Sequence, residues 1–330
     1  MGTADFLAEL PIGGGQHLFS AGYEILHEWF GRYDTQDHTN HRGHADLKLN
    51  YVPFTLDIAD VYEITESRAN TEFTDRIKRE ENAFHSLLEV PFASFFLENE
   101  ITDFDERFDR AIDAGFDHNL LTVYQRVGYD ITPSTQVLAE YSFINIDYFN
   151  VEDRDGDGHQ YMLGMRGNLT ERIAYQIWGG AQHRIYDEEI RPDFNDFVFR
   201  SALQWDPSEL SQIVLRGDRA VQESTFDNQS FYTRHRVELG WNHQIAERWF
   251  WKSHAMVGYN DYSRITVVRA TSEEETRRDY LWDVGTGIEY RMPNDIVTLV
   301  LDFKHSARAS NLDNLDYVAN EITAGVRASF

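Results

Sequence analysis

The sequence predicts an all-β fold: a transmembrane up-and-down antiparallel β-barrel of about sixteen strands, with short periplasmic turns and long extracellular loops. Three observations carry this. First, Pro53, Pro91, Pro133, Pro207 and Pro293 are separated by 38, 42, 74 and 86 residues. Each gap is one or two steps of about 40 residues, and proline, which cannot donate to a strand ladder, collects at strand ends and turns. Two further beats are filled by the polar turns Asn168–Glu171 and Gln244–Glu247. Second, every beat is flanked by residues alternating apolar and polar, as in a strand with one lipid-facing and one wet face. Third, aromatics gather at strand ends. Tyr51, Tyr129, Trp205, Trp241, Trp249 and Tyr290 stand beside the short turns, with Phe84, Phe199, Phe231 and Trp282 toward the other end. A bilayer interface selects two such girdles, because Trp and Tyr join an apolar body to a polar tip.

Taken in order, the alternation places strands at about 17–30, 43–52, 54–66, 81–90, 92–104, 118–130, 134–149 and 158–168. It continues at about 172–186, 195–206, 209–222, 229–243, 247–263, 276–291, 295–308 and 315–330. Outward rows such as Phe19-Ala21-Tyr23-Ile25, Ile173-Tyr175-Ile177 and Val297-Leu299-Leu301-Phe303 justify individual strands. Residues 1–16 are expected as an N-terminal periplasmic segment and 17–330 as the barrel. A soluble β-protein would place aromatics mid-strand as often as at strand ends. A propeller with a period of about 40 residues needs four strands per repeat, and the pattern allows two.

Composition agrees with this reading. No run approaches the roughly 18 apolar residues a transmembrane helix needs. The formal net charge of −26 repels phosphate, which argues against nucleic acid as a partner. Cysteine is absent. Met1-Gly2-Thr3-Ala4-Asp5 lacks the basic start and apolar run of a signal peptide, so it reads as a start that replaces a removed signal.

If apolar residues face lipid, their neighbours face a lumen. The inward set then has an acidic wall of Glu24, Glu28, Asp46, Asp57, Glu63, Glu89, Glu98 and Glu100. Its basic wall is Arg166, Arg184, Arg200, Arg216, Arg234, Arg236 and Lys252, about half a barrel away. Opposed walls of this kind make a transverse field that orients polar solutes. The alternative is that the charges pair through a filled lumen. Acidic stretches at 103–106, 187–189 and 273–275 are expected on the long-loop side. Asp153, Asp155 and Asp157 have the oxygen-ligand spacing of half a calcium loop, but Gly164 stands at its twelfth position. The competing reading is an Asp/Gly-rich turn. His38, His41 and His44 alternate faces in extended chain, which is awkward for one metal. No GxSxG, paired-carboxylate cleft or CxxCH is present, so neither an enzyme nor a haem carrier is expected.

The closing stretch Asn320–Phe330 ends on Phe330, with Ile322, Ala324, Val326 and Ala328 at every second place before it. It resembles the C-terminal strand by which outer-membrane barrels are recognised for assembly, which makes Phe330 an assembly signal and the barrel assembly machinery a partner. The stretches around Trp205-Asp206-Pro207 and Tyr280 to Tyr290 resemble the putative β-barrel porin type 2 family, some of whose members accompany exopolysaccharide export. That resemblance implies a Gram-negative outer-membrane location among lipid and lipopolysaccharide. The expected function is a porin-like channel for passive passage of polar solutes, saccharides among them. The alternatives are an exopolysaccharide export portal with periplasmic partners and a structural scaffold with an occluded lumen. No cofactor is expected beyond calcium in an extracellular loop.

Overall fold

A computed structural model describes residues 2–29, 37–67, 72, 76–151, 154–187, 193–225, 231–268, 273–293, 296–312 and 315–329. They form seventeen strands in one sheet. The first nine are β1 (Gly2–Ile12), β2 (His17–Glu28), β3 (His38–Asn50), β4 (Thr55–Thr65), β5 (Arg79–Phe92), β6 (Phe95–Phe108), β7 (His118–Thr132), β8 (Thr135–Tyr148) and β9 (Gly156–Thr170). The others are β10 (Ile173–Tyr186), β11 (Phe194–Ser208), β12 (Ser211–Glu223), β13 (Phe231–Ala246), β14 (Trp249–Val268), β15 (Glu273–Arg291), β16 (Val297–Ser310) and β17 (Tyr317–Ser329).

All sixteen expected strands are present, and the seven turns set by proline spacing fall between them. The count is corrected by β1, which lies in the stretch expected to precede the barrel. Ala4, Phe6, Ala8, Leu10 and Ile12 alternate along it, and it pairs antiparallel with β2 from Gly2↔His27 to Ile12↔His17. The turn that follows holds Gly13, Gly14 and Gly15 at φ 62, 74 and 92°, left-handed backbone that side chains rarely adopt. In a meander with an odd number of strands the first and last run the same way. The ladder between them must therefore be parallel: Gly2–Asp5 lies against Val326–Ser329 over four residue pairs. Every other neighbouring pair is antiparallel, so each strand has a partner on both sides.

Two faces with opposite chemistry result. Leu163, Val257 and Ile322 are 72, 61 and 77% exposed, whereas Trp178 and Ser142 on the other face are 2 and 0% exposed. A sheet that turns its aliphatic side chains outward and buries polar ones matches lipid outside. Ring pairs mark the short-turn end: Phe95–Tyr129, Trp249–Tyr290 and Trp241–Trp251 have centroids 4.8, 4.7 and 4.8 Å apart. Toward the long-loop end, Tyr259–Tyr280 is spaced 5.1 Å. Phe231, expected in the outer girdle, is instead buried inside.

The reason lies in the sheet. The β11–β12 ladder begins at Phe199↔Arg219, whereas β12–β13 continues to Glu223↔Phe231. Past Arg219 the hairpin is no longer held by β11. Val221 and Phe231 join Tyr186, Phe194 and Val198 in an apolar cluster that runs on to Leu138, Met162 and Trp178. Phe231 stacks on Tyr186 and meets Phe194 edge-on, both at 5.6 Å. The acidic stretches at 103–106 and 273–275 lie toward the long-loop end as expected, but on strands rather than in loops, because the strands are longer than the alternation indicates. Asp103, Asp105 and Glu106 lie on β6 and Glu273–Glu275 on β15. Glu188 and Glu189 lie outside the described residues.

Candidate functional site

The candidate site is the interior. Along β2–β6, Glu24, Glu28, Asp46, Asp57, Glu63, Glu89, Glu98 and Glu100 alternate with outward Phe19, Tyr23, Tyr62, Leu88 and Ile101. Along β9–β14, Arg166, Arg184, Arg200, Arg216, Arg234, Arg236 and Lys252 alternate with Leu163, Ile177, Phe197, Leu215, Val237 and Val257.

The picture of two opposed walls does not survive the geometry, because every residue of the basic set has a carboxylate beside it. Arg166 Nη2 is 2.5 Å from Glu98 Oε1, and Arg200 Nη2 is 2.6 Å from Glu140 Oε2. Arg234 and Arg236 share Asp218 at 2.9 and 3.0 Å. Lys252 meets Glu289 at 2.7 Å, Arg216 meets Glu238 at 3.8 Å, and Arg184 pairs with Glu223. Glu98 and Glu100 therefore belong with the arginines, not with an acidic wall. Arg126 links them: its Nη1 is 2.5 Å from Glu100, and its Nε donates to Glu140 at 2.6 Å. Arg126, Glu140, Asp218, Glu223, Glu238 and Glu289 are functional residues the sequence reading missed. Most stand at inward positions of their strands, so alternation could have found them.

The β2–β5 side is different. Among the described residues, Glu24, Asp46, Asp57, Glu63 and Glu89 have no cation within ion-pair distance. Asp46 and Glu89 accept hydroxyl hydrogen bonds from Ser20 and Thr55, at 3.4 and 3.2 Å. Glu28 is held by Arg76 at 3.3 Å and by His38 at 2.8 Å.

At the long-loop end three connections meet. Glu72, between β4 and β5, is buried. It accepts from Ser224 Oγ at 2.9 Å, Thr225 N–H at 2.6 Å and Thr225 Oγ1 at 3.0 Å, with Arg277 Nη1 3.8 Å away. Burial holds the Glu72 carboxyl above the usual carboxylate range, against the downward pull of these partners. Arg154, between β8 and β9, donates to Ser224 O and stacks on Tyr148 at 4.6 Å. The β12–β13 end is thus pinned from two sides.

The other candidates are placed as follows. Asp155 accepts the Tyr148 N–H at 2.7 Å, and Asp157 accepts from Asn145 at 3.0 Å. Asp153 and Phe330 lie outside the described residues. Among the described residues no group of three His, Cys, Asp or Glu could hold a metal ion. His38 is buried inside beside Glu28, while His41 bonds outward Tyr23 at 2.8 Å, so the two do not converge.

A one-sheet meander with an aliphatic exterior, aromatic girdles and a charged interior is a barrel of the porin-like class. The chain belongs to the putative beta-barrel porin 2 family, which residues 27–330 match. No curated protein sequence matches it. Among solved structures, the FrpB iron transporter from Neisseria meningitidis is similar at TM-score 0.52 and 8% identity, over 92% of this chain and 58% of that one. The alcaligin outer membrane receptor FauA from Bordetella pertussis gives 0.44 and 12%, over 96% of this chain and 70% of that one. The siderophore receptor PirA from Acinetobacter baumannii gives 0.47 and 6%, over 97 and 70%. At these identities the likeness is one of fold alone, and this chain spans a little over half the length of FrpB.

Proposed function

We propose that this chain is an outer-membrane, porin-like channel through which small polar solutes, saccharides among them, diffuse passively. The observation that carries this reading is the β2–β5 wall. A buried carboxylate without a cation costs several kcal/mol, so a row of them is stable only against water. Glu24, Asp57 and Glu63 are half-buried and make no ion pair even with Arg42 and Lys48, which stand opposite them in the ladder and are exposed, so this wall calls for a hydrated passage rather than a filled core. Hydroxyl-rich solutes suit such a wall, since carboxylates accept their hydrogen bonds without a charge requirement. Membership of the porin family and the exterior girdles support the outer-membrane location, with lipid and lipopolysaccharide around the strands. Under this reading the barrel assembly machinery recognises the alternating pattern Ile322, Ala324, Val326 and Ala328 that leads to Phe330. Glu72, Arg154 and the apolar β12–β13 end favour a second reading, a scaffold whose lumen is occluded. Conductance in planar bilayers separates the two: discrete open steps support the channel, and silence from correctly inserted protein supports the scaffold.

A further inference from the structure

Three guanidiniums converge on the interior from β7, β9 and β11. Arg126 stacks over Tyr124 at 5.0 Å, Arg166 over Phe96 at 5.2 Å and Arg200 over Trp178 at 4.7 Å. Trp178 lies flat because Gly164 is beneath it; a Cβ there would come within 2.3 Å of its ring. These supports fix the guanidinium planes before any solute arrives, which removes an ordering cost from binding. Two of the three carboxylates that balance them are hidden: the side chains of Glu98 and Glu140 are 3 and 0% exposed, whereas those of Arg166 and Arg200 are each 33% exposed. The third, Glu100, pairs with Arg126 at 2.5 Å and is 18% exposed. The ledge is close to neutral in sum, with its exposed cationic face at Arg166 and Arg200 and the Glu100 carboxylate engaged by Arg126 at one side. Among the described residues Arg126 Nη2, Arg166 Nη1 and Arg200 Nε have no hydrogen-bond partner. A cavity of about 340 Å³ opens between them, with Glu100, Tyr124 and Gln176 on its remaining sides. That volume is at the small end of ligand pockets, about 300–1,000 Å³.

We propose that the ledge of Arg126, Arg166 and Arg200 is an oxyanion-binding subsite that holds the carboxylate or phosphate group of a passing solute. Planar guanidiniums with spare donors match such groups in geometry as well as in charge. The unpaired β2–β5 carboxylates set the selectivity for free ions, while the ledge acts at contact distance. The inference rests on a water-accessible interior, and its test is independent of conductance.

Titration calorimetry of the full chain in detergent with inorganic phosphate, glucuronate and glucose reads the subsite directly. Saturable binding of phosphate, glucuronate or both, with glucose silent, is the expected result; which oxyanion binds tells phosphorylated from carboxylated solutes. Arg166→Gln with Glu98→Gln, and Arg200→Gln with Glu140→Gln, remove a cation and its buried partner together. Each double variant should weaken binding by at least about tenfold, and the heat-dependent gel shift reports whether it has folded. Arg291→Gln, which lies beyond the ledge, should leave binding unchanged. Binding that ignores both double variants, or equal binding of glucose, overturns the subsite. So does the absence of oxyanion binding. Binding without conductance removes the channel reading and leaves the subsite standing; conductance without binding does the reverse.

Discussion

The two sides of the interior carry the same kinds of residue and differ in what those residues touch. From β6 to β14 the inward arginines and Lys252 each have a carboxylate within 4 Å, and aromatic rings or the folded-in β12–β13 end cover much of that surface. From β2 to β5, Glu28 and Glu81 are ion-paired, whereas Glu24, Asp46, Asp57, Glu63 and Glu89 have no cation within ion-pair distance among the described residues, even though Arg42 and Lys48 stand opposite Glu24, Glu63 and Asp57 in the ladder. The contrast teaches that a count of inward charges does not give the field in a lumen. An arginine beside a glutamate contributes a local dipole, whereas an isolated aspartate contributes a full charge. The side that looked basic is nearly balanced, and the net lumen charge comes from the acidic side.

The sharpest way to break this comparison is to remove one partner on each side. Glu140→Leu leaves Arg126 and Arg200 facing a buried apolar group and should cost about 3–5 kcal/mol. Asp57→Asn should change stability by less than about 0.5 kcal/mol, as substitutions of hydrated groups usually do. Urea unfolding from vesicles measures both, and similar costs would mean that the β2–β5 side is packed like the other. Next in size is a test of inside against outside. Leu299→Arg, on the outward row of β16, should cost about 2–4 kcal/mol near mid-bilayer, and Thr298→Arg on the inward row much less. Equal costs in the same assay would reverse the assignment of faces.

A smaller effect is expected at the mouth. Glu72 binds its proton more tightly in the buried site than in water, where its ordinary value is 4.5. Lowering pH from neutral toward 4.5 therefore favours the pinned arrangement, and raising pH through the shifted range weakens it. Conductance should fall on acidification in the natural chain. In Glu72→Gln, which is permanently neutral, that component should be absent; an identical acid response would remove Glu72 from the account.

The strand order, the turns and the two faces were legible because each rests on period two and on proline, both local properties. β1 falls in the segment expected before the barrel, although Phe6, Ala8, Leu10 and Ile12 keep the alternation and pair with β2. The ion pairs were not legible in the same way. Arg166 and Glu98 are 68 residues apart and on strands that are not neighbours, so their meeting depends on side-chain reach across the interior. The inward turn of the β12–β13 end also has no local signature. It follows from where the β11–β12 ladder stops, and Phe231 reads the same in sequence whether it meets lipid or Tyr186.

The most direct test is the reversal potential of single channels across a salt gradient. The account predicts a cation preference at low salt, because the unpaired carboxylates of β2–β5 dominate the lumen. Asp57→Asn with Glu63→Gln should move the potential toward anions, and Arg234→Gln with Asp218→Asn, a balanced change, should leave it nearly unmoved. Both differences should fade at 1 M salt, where the Debye length is about 3 Å. A preference unaltered by the acidic-side change and shifted by the balanced one would contradict the account.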